Sequence, residues 1–244
     1  MLNTTYTVLS NECLAPDVFR MRLRGDTSPI TAPGQFVNLR IDELYLRRPI
    51  SVCDAEGDVL TLIYKVVGAG TGKLSELREG AVLDALSGLG NGFDIASSGR
   101  RPCLIGGGVG VPPMFLLAKR LIEAGQTPTV ALGFNTASEV FYVQEFLDLG
   151  CEVRLATADG SAGERGFVTA VLPEAPSHYF ACGPEPMLRA VYHALRCSGQ
   201  LSFEARMGCG FGACMGCTCR TITGYKRICR EGPVLRKEEI LWEA

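Results

Sequence analysis

Cys103-Leu-Ile-Gly-Gly-Gly-Val-Gly-Val-Pro-Pro113 decides how this chain folds. It opens with a short apolar run, continues through glycines that permit a tight turn, and ends on two prolines. Proline suits the first turn of a helix, where its missing N–H costs little. A strand leading through a glycine turn into a helix is the opening unit of a parallel α/β sheet. The residues beyond keep the same rhythm. Apolar runs at Thr129–Phe134, Val153–Ala156 and His178–Ala181 alternate with helical patterns at about Pro112–Ala124, Glu139–Leu149, Val168–Leu172 and Glu185–Cys197.

Upstream the rhythm is different. Short runs at Tyr6–Leu9, Val18–Leu23, Phe36–Leu39, Ile50–Val52, Val59–Val67 and Ala81–Leu86 are separated by breakers such as Ala32-Pro33-Gly34 and Glu56-Gly57-Asp58. Such closely spaced strands predict a small antiparallel barrel. Ser97-Ser98-Gly99-Arg100-Arg101 is a polar boundary. The expected organisation is an antiparallel β-barrel at 1–97, an α/β parallel-sheet domain at 101–200 and a small cysteine-rich module at 201–244.

Composition narrows the function. Hydrophobic residues make up 47% and charged residues 20% of the chain, within the globular range. A net charge of -2 argues against a nucleic-acid partner. Neither a signal sequence nor an apolar run of membrane length is evident, so a soluble cytoplasmic protein is expected.

Of the eleven cysteines, Cys209, Cys214, Cys217, Cys219 and Cys229 crowd into one segment, as metal ligands would in a reducing compartment. Cys209, Cys214 and Cys217 have the C-x4-C-x2-C spacing of plant-type [2Fe–2S] ligation. Gly208, Gly210, Gly212 and Gly216 let the loop wrap a cluster and turn backbone N–H groups toward its sulfurs. Cys229 is the natural fourth ligand, returned by a hairpin through Thr223-Gly224-Tyr225. The alternative is zinc, whose sites usually combine two well-separated cysteine pairs. Cys219 lies two residues from Cys217, too close for easy joint ligation, and reads as a spare thiol.

In the opening stretch, Gly106, Gly107, Gly108 and Gly110 let main-chain N–H groups approach a dinucleotide pyrophosphate at the helix end. Val111 fills the slot of the third fingerprint glycine, and a purely structural turn is the competing reading. Cys182-Gly183-Pro184 makes a second strand-to-helix turn, expected at the same carboxyl edge of the sheet, where ligands bind. Phe134–Ser138 contains no Arg or Lys for a 2′-phosphate, which favours NAD(H) over NADP(H). Cys182 reads equally as a group tuning hydride transfer or as a small buried hydrophobe. In the barrel, Arg48-Pro49-Ile50-Ser51, Ile63-Tyr64-Lys65 and Gly70-Thr71 together supply a cation, hydroxyls, an aromatic ring and helix-end donors suited to an isoalloxazine and a pyrophosphate.

These motifs resemble the ferredoxin–NADP⁺ reductase-like flavoproteins. With Gly90-Asn91-Gly92-Phe93, Asp159-Gly160-Ser161 and the ending Cys229-Arg-Glu-Gly-Pro-Val234, the chain is most similar to electron-transfer subunits of NAD-dependent, two-component dihydroorotate dehydrogenases. The resemblance spans essentially the whole chain. It implies FAD at Arg48–Ser51, Ile63–Lys65 and Gly70-Thr71, and a [2Fe–2S] cluster on Cys209, Cys214, Cys217 and Cys229. It also implies an FMN-containing catalytic partner in a heterotetramer of two of each subunit. Electrons from dihydroorotate would pass through cluster and FAD to NAD⁺. The Cys217-to-Cys229 hairpin is short for that family and Cys219 inside it is unusual. The rival readings are a flavin subunit of a sulfide dehydrogenase, ferredoxin–NADP oxidoreductase or hydrogenase complex, and a non-enzymatic zinc protein.

Overall fold

The computed structural model describes residues 1–242; positions 243–244 of the expected cysteine module lie outside them. The N-terminal strands are β1 (Leu2–Ala15), β2 (Val18–Arg24), β3 (Phe36–Leu39), β4 (Arg48–Glu56), β5 (Val59–Lys65) and, after helix α1 (Ala69–Glu76), β6 (Val82–Leu89). They close into a barrel in the order β1-β2-β5-β4-β3-β6, with every neighbouring pair antiparallel. Tyr6, Met21, Leu23, Val37, Leu39, Leu60 and Leu62 fill its interior.

Two strands run well beyond their expected bounds. In β1, bulges between Val8 and Ser10 and between Cys13 and Ala15 interrupt the alternation that would have revealed its length. In β4, strand begins at Arg48, so Arg48–Ser51 sits on a rigid element rather than leading into one.

The second half contains β7 (Pro102–Gly107), α2 (Pro112–Glu123), β8 (Thr129–Phe134), α3 (Val143–Asp148), β9 (Glu152–Thr157), β10 (Glu164–Arg165), β11 (His178–Cys182), α4 (Glu185–Ala194) and β12 (Gly199–Ser202). These strands form a parallel sheet in the order β10-β9-β8-β7-β11-β12. The helix expected over 139–149 is reduced to α3, because Phe141 and Tyr142 turn into the core and Tyr142 adopts φ 65°. Val168–Val171 is a single 3-10 turn, not an α-helix. Such short pieces are what the 3-10 form tolerates.

The sheet does not end at residue 200. From the cysteine segment, after the hairpin β13 (Thr218–Thr221) and β14 (Gly224–Arg227), strand β15 (Val234–Arg236) pairs antiparallel with β12. Packing also crosses the boundaries. Ala15, Val18, Cys53 and Ile63 of the barrel share a core with Leu104, Val111, Leu117 and Phe146. Phe36 and Leu89 share another with Ile105, Leu188, Cys217, Ile228 and Cys229. Lys119 of α2 bonds both carboxylate oxygens of Asp54, at 3.0 and 2.9 Å.

Candidate functional site

The outer face of the barrel is set by strand alternation. Val37 and Leu39 of β3 point into the barrel, so Phe36 and Asn38 point out toward the cysteine module. Ser51 and Pro49 lie directly opposite Phe36 and Asn38 on β4, which puts them on the same face. Arg48 packs against the first turn of α1, where any side chain on Gly70 would collide with its guanidinium. Thr71 Oγ1 accepts from Val67 N at 2.9 Å and donates to Gly68 O at 3.2 Å, folding the loop that enters the helix. The helix has no side-chain cap and no acidic residue in its first turn. Its N–H groups and Arg48 together suit an anion such as a pyrophosphate.

Ile63 and Tyr64 do not present their side chains to that face. Ile63 belongs to the core shared with the α/β sheet, and Tyr64 lies inside the barrel. The Tyr64 hydroxyl donates to Asn11 Oδ1 at 3.0 Å, and burial pushes its pKa up to about 12. The expectation of a flavin-facing ring at Tyr64 is thus corrected: these two residues can offer a cofactor only main chain. Lys65 ends β5 half-buried, paired in register with Val18.

At the carboxyl edge of the sheet, Cys182 stands beside Gly106 in parallel register. The two turns expected there are pressed together: a side chain on Gly110 would strike the Cys182 carbonyl, and one on Gly107 would strike the Met187 sulfur. Gly108 turns with φ 51°. Pro112 and Pro113 open α2. A cleft of about 420 Å³ opens between Gly183, Glu185, Phe203, Glu204 and Arg206. A second, of about 250 Å³, shares Glu185, Phe203 and Glu204 with it and extends to Cys217 and Cys219. Burial pushes the Cys182 thiol up to about 12, against a hydrogen bond with Ser202. It stays protonated near neutral pH.

The cysteine segment brings its thiols together as two pairs. Cys209 Sγ accepts from Ala213 N at 3.2 Å and Cys214 N at 3.4 Å; Cys214 Sγ accepts from Cys209 N at 3.4 Å and Gly216 N at 3.5 Å. Cys217 Sγ accepts from Cys229 N at 3.4 Å. The first pair is accessible and the second is buried. Burial opposes ionisation of Cys209, but N–H groups of Phe211, Cys214 and Ala213 outweigh it and bring the thiol down to about 6. Burial, then Cys217, pushes Cys229 up to about 12. Among the described residues no three His, Cys, Asp or Glu side chains converge on one point as a ready metal site. Two thiol pairs bathed in N–H donors fit a two-iron cluster, in which each iron takes two thiolates, better than a single tetrahedral zinc. Cys219, on β13 opposite Lys226, makes no such contact and lines the smaller cleft.

Three residues that sequence reasoning did not single out as site residues hold the cysteine segment. Asn38 Nδ2 donates to Cys209 O at 3.2 Å. Asn91 clasps the chain just beyond Cys229: its N donates to Gly232 O at 2.7 Å, its Nδ2 to Glu231 O and Val234 O at 3.1 and 2.8 Å, and its Oδ1 accepts from Val234 N at 3.1 Å. Arg227 Nη1 donates to Gly212 O at 2.6 Å while its Nε holds Glu231 at 2.9 Å. Gly90-Asn91-Gly92-Phe93 entered only as a motif of the family resemblance, with no role given to Asn91, and a lone Asn on a strand carries no local signal at all.

Comparison with known proteins bears on the cysteine segment and on the chain as a whole. The family model for the iron–sulfur cluster binding domain of dihydroorotate dehydrogenase B matches residues 204–241, spanning the short hairpin. The chain is 44% identical, over 96% of its length and 97% of its relative's, to a Geobacillus sp. (strain WCH70) protein named dihydroorotate dehydrogenase B (NAD(+)), electron transfer subunit. A Listeria monocytogenes serovar 1/2a protein of the same name is 40% identical over 98% of this chain and 99% of its own. Among solved structures, one of the NADH-dependent reduced ferredoxin-NADP oxidoreductase is similar with a TM-score of 0.88 and 31% identity, covering 97% of this chain and 90% of that one. The Amycolatopsis cytochrome P450 reductase GcoB shares the fold, with a TM-score of 0.69 and 23% identity over 79% of this chain and 65% of that one.

Proposed function

The chain belongs to the family of NAD(+)-dependent dihydroorotate dehydrogenase B electron transfer subunits, and we propose that it relays electrons between NAD(H) and a separate catalytic subunit that oxidises dihydroorotate to orotate. The observation that carries the relay is placement. The Gly106–Gly110 and Cys182–Pro184 turns adjoin Val111 and Cys182 of one core shared between barrel and sheet, Cys217 and Cys229 lie in the other, and Ser51 stands opposite Phe36 of that second core, with Pro49 on the same outer face and Ile50 turned into the barrel. When bound, FAD exchanges hydride with a nicotinamide and single electrons with a [2Fe–2S] cluster, chemistry that no side chain supplies.

The residues of this chain bind and orient. Arg48, Thr71 and the N-terminus of α1 hold the FAD pyrophosphate, while Pro49 and Ser51 floor the ring. Gly106–Gly110 and the start of α2 take the NAD(H) pyrophosphate, and the Cys182–Pro184 turn borders the nicotinamide. Cys209, Cys214, Cys217 and Cys229 hold the cluster. Phe211 and Met215 remain exposed in the thiol loop, Ile222 and Tyr225 on the hairpin that follows it, and they form the docking face for the partner. That partner is an FMN-containing catalytic subunit, two copies of each chain making a heterotetramer in the cytoplasm. Among the described residues no helix is long and apolar enough to cross a membrane.

The test is purification followed by reconstitution. The expected protein is yellow-brown with FAD, iron and sulfide, and with the catalytic subunit it reduces NAD⁺ at the expense of dihydroorotate. A colourless, zinc-loaded protein would sink the reading, and dihydroorotate oxidation by the chain alone would sink the relay. The likeness to the ferredoxin-NADP oxidoreductase structure favours one second reading, a flavin subunit serving ferredoxin. Partner-dependent ferredoxin turnover without dihydroorotate activity would select it.

A further inference from the structure

Asparagine is a poor strand former, and a buried carboxamide is costly unless its groups are paired. Asn38 nonetheless sits in the four-residue strand β3, 1% exposed. Its nitrogen faces the Cys209 carbonyl at 3.2 Å. Because a carbonyl can only accept, that contact fixes which end of the amide is the nitrogen. The other end, Oδ1, is buried without a hydrogen-bond partner among the described residues. An unpaired buried acceptor is destabilising, and a valine here would satisfy the strand without it. The loop is shaped around this side chain: just after Cys209, Gly210 turns with φ 78°, and any side chain there would strike Asn38 Nδ2.

The unpaired oxygen belongs to a residue on the outer barrel face, with Pro49 directly opposite and Ser51 two positions along. This is the face assigned above to the flavin, whose pyrimidine edge carries an N–H donor. We propose that Asn38 is a positioning residue bridging the two redox sites. Its Nδ2 holds the main chain of the first cluster ligand, and its Oδ1 accepts a hydrogen bond from the bound flavin. One side chain then sets both the seat of the cluster loop and its register against the ring. The inference rests on the functional reading above.

The experiment uses the cofactor-loaded protein and Asn38→Leu, which keeps the volume and removes both polar ends. Reduced-state electron paramagnetic resonance reads the cluster, iron release to a chelator reads its retention, and the visible spectrum and midpoint potential read the flavin. Loss of an outer-shell partner of a metal site is expected to speed iron release about 10-fold. The resonance g-values and the flavin potential should both shift while FAD content is retained. Asn38→Asp, which keeps an acceptor but cannot donate as a carboxylate, reads the Cys209 contact should the leucine variant fail to fold. Wild-type protein loaded with both cofactors and a variant matching it in every readout would overturn the bridge alone. A shifted cluster beside an unchanged flavin would overturn the flavin contact. Wild-type protein lacking both cofactors would overturn the functional reading and the bridge with it.

Discussion

The turn at Gly106–Gly110 and the loop at Gly208–Gly216 are both dense in glycine, and they use it for opposite reasons. In the first, glycine is demanded by neighbours: two strand-to-helix turns lie so close that main chain touches main chain at Gly110 and Cys182. The turn is held at both ends by β7 and α2, elements that the local sequence makes by itself. In the second, Gly210 and Gly212 take φ of 78° and 93° in a segment with no helix or strand of its own. That loop is held from outside, by Asn38 of the barrel and Arg227 of the hairpin, while Asn91 clasps the chain that follows the fourth cysteine. A glycine turn between regular elements is self-supporting, whereas a ligand loop borrows its shape from distant side chains and from the metal it wraps.

The largest expected effect falls on the self-supporting turn. Gly110→Ala should destabilise the protein by about 3 kcal/mol or more, since the obstacle is backbone that cannot move aside. A guanidinium unfolding curve with an unchanged midpoint would break the comparison. Next comes the segment behind the fourth ligand, which is likewise held from the barrel. Asn91→Ala removes three side-chain hydrogen bonds, two partly buried and one exposed, and should cost about 2 kcal/mol, together with faster loss of iron from Cys229. Unfolding and chelator-release curves check the two parts separately.

Gly108→Ala tests whether glycine matters alike throughout the first turn. Nothing lies within 4 Å of the added carbon, so only the left-handed φ of 51° opposes it. The expected cost is about 1 kcal/mol, well below that of Gly110→Ala in the same assay.

The smallest effect is one of pH. Burial holds the His178 imidazole below its ordinary 6.5, although Glu238 and Asp94 pull the other way. The folded state therefore prefers the neutral ring. Its contribution is complete above pH 6.5 and is lost as the pH falls from there through the folded value, where the unfolded chain takes a proton first. The urea midpoint of the wild-type protein should decline over that interval, and His178→Gln should flatten the decline. An equal slope in the two proteins would remove His178 from the account.

Much of the architecture was legible because it depends on local pattern. Breakers such as Glu56-Gly57-Asp58 marked the barrel strands, and the run into Gly106–Pro113 marked the sheet and its ligand edge. The spacing of Cys209, Cys214 and Cys217 marked the ligand loop. What escaped depended on long-range geometry. Bulges hid the true length of β1, and the Tyr64 hydroxyl finds its partner inside the barrel in Asn11, 53 residues away. The pairing of β15 with β12 likewise ties the cysteine segment into a sheet that had seemed to end before it.

The sequence by itself determined the kinds of element, their order and the chemistry they carry, because strand period, glycine turns and thiol spacing act over a few residues. Only the tertiary structure decided that Arg48 meets Gly70, that the four thiols stand as an accessible pair and a buried pair, and that Asn38 holds the Cys209 carbonyl while Asn91 clasps the chain beyond Cys229. Those contacts join residues as many as 171 positions apart. Packing and hydrogen-bond satisfaction operate across space rather than along the chain, so no local pattern could announce them.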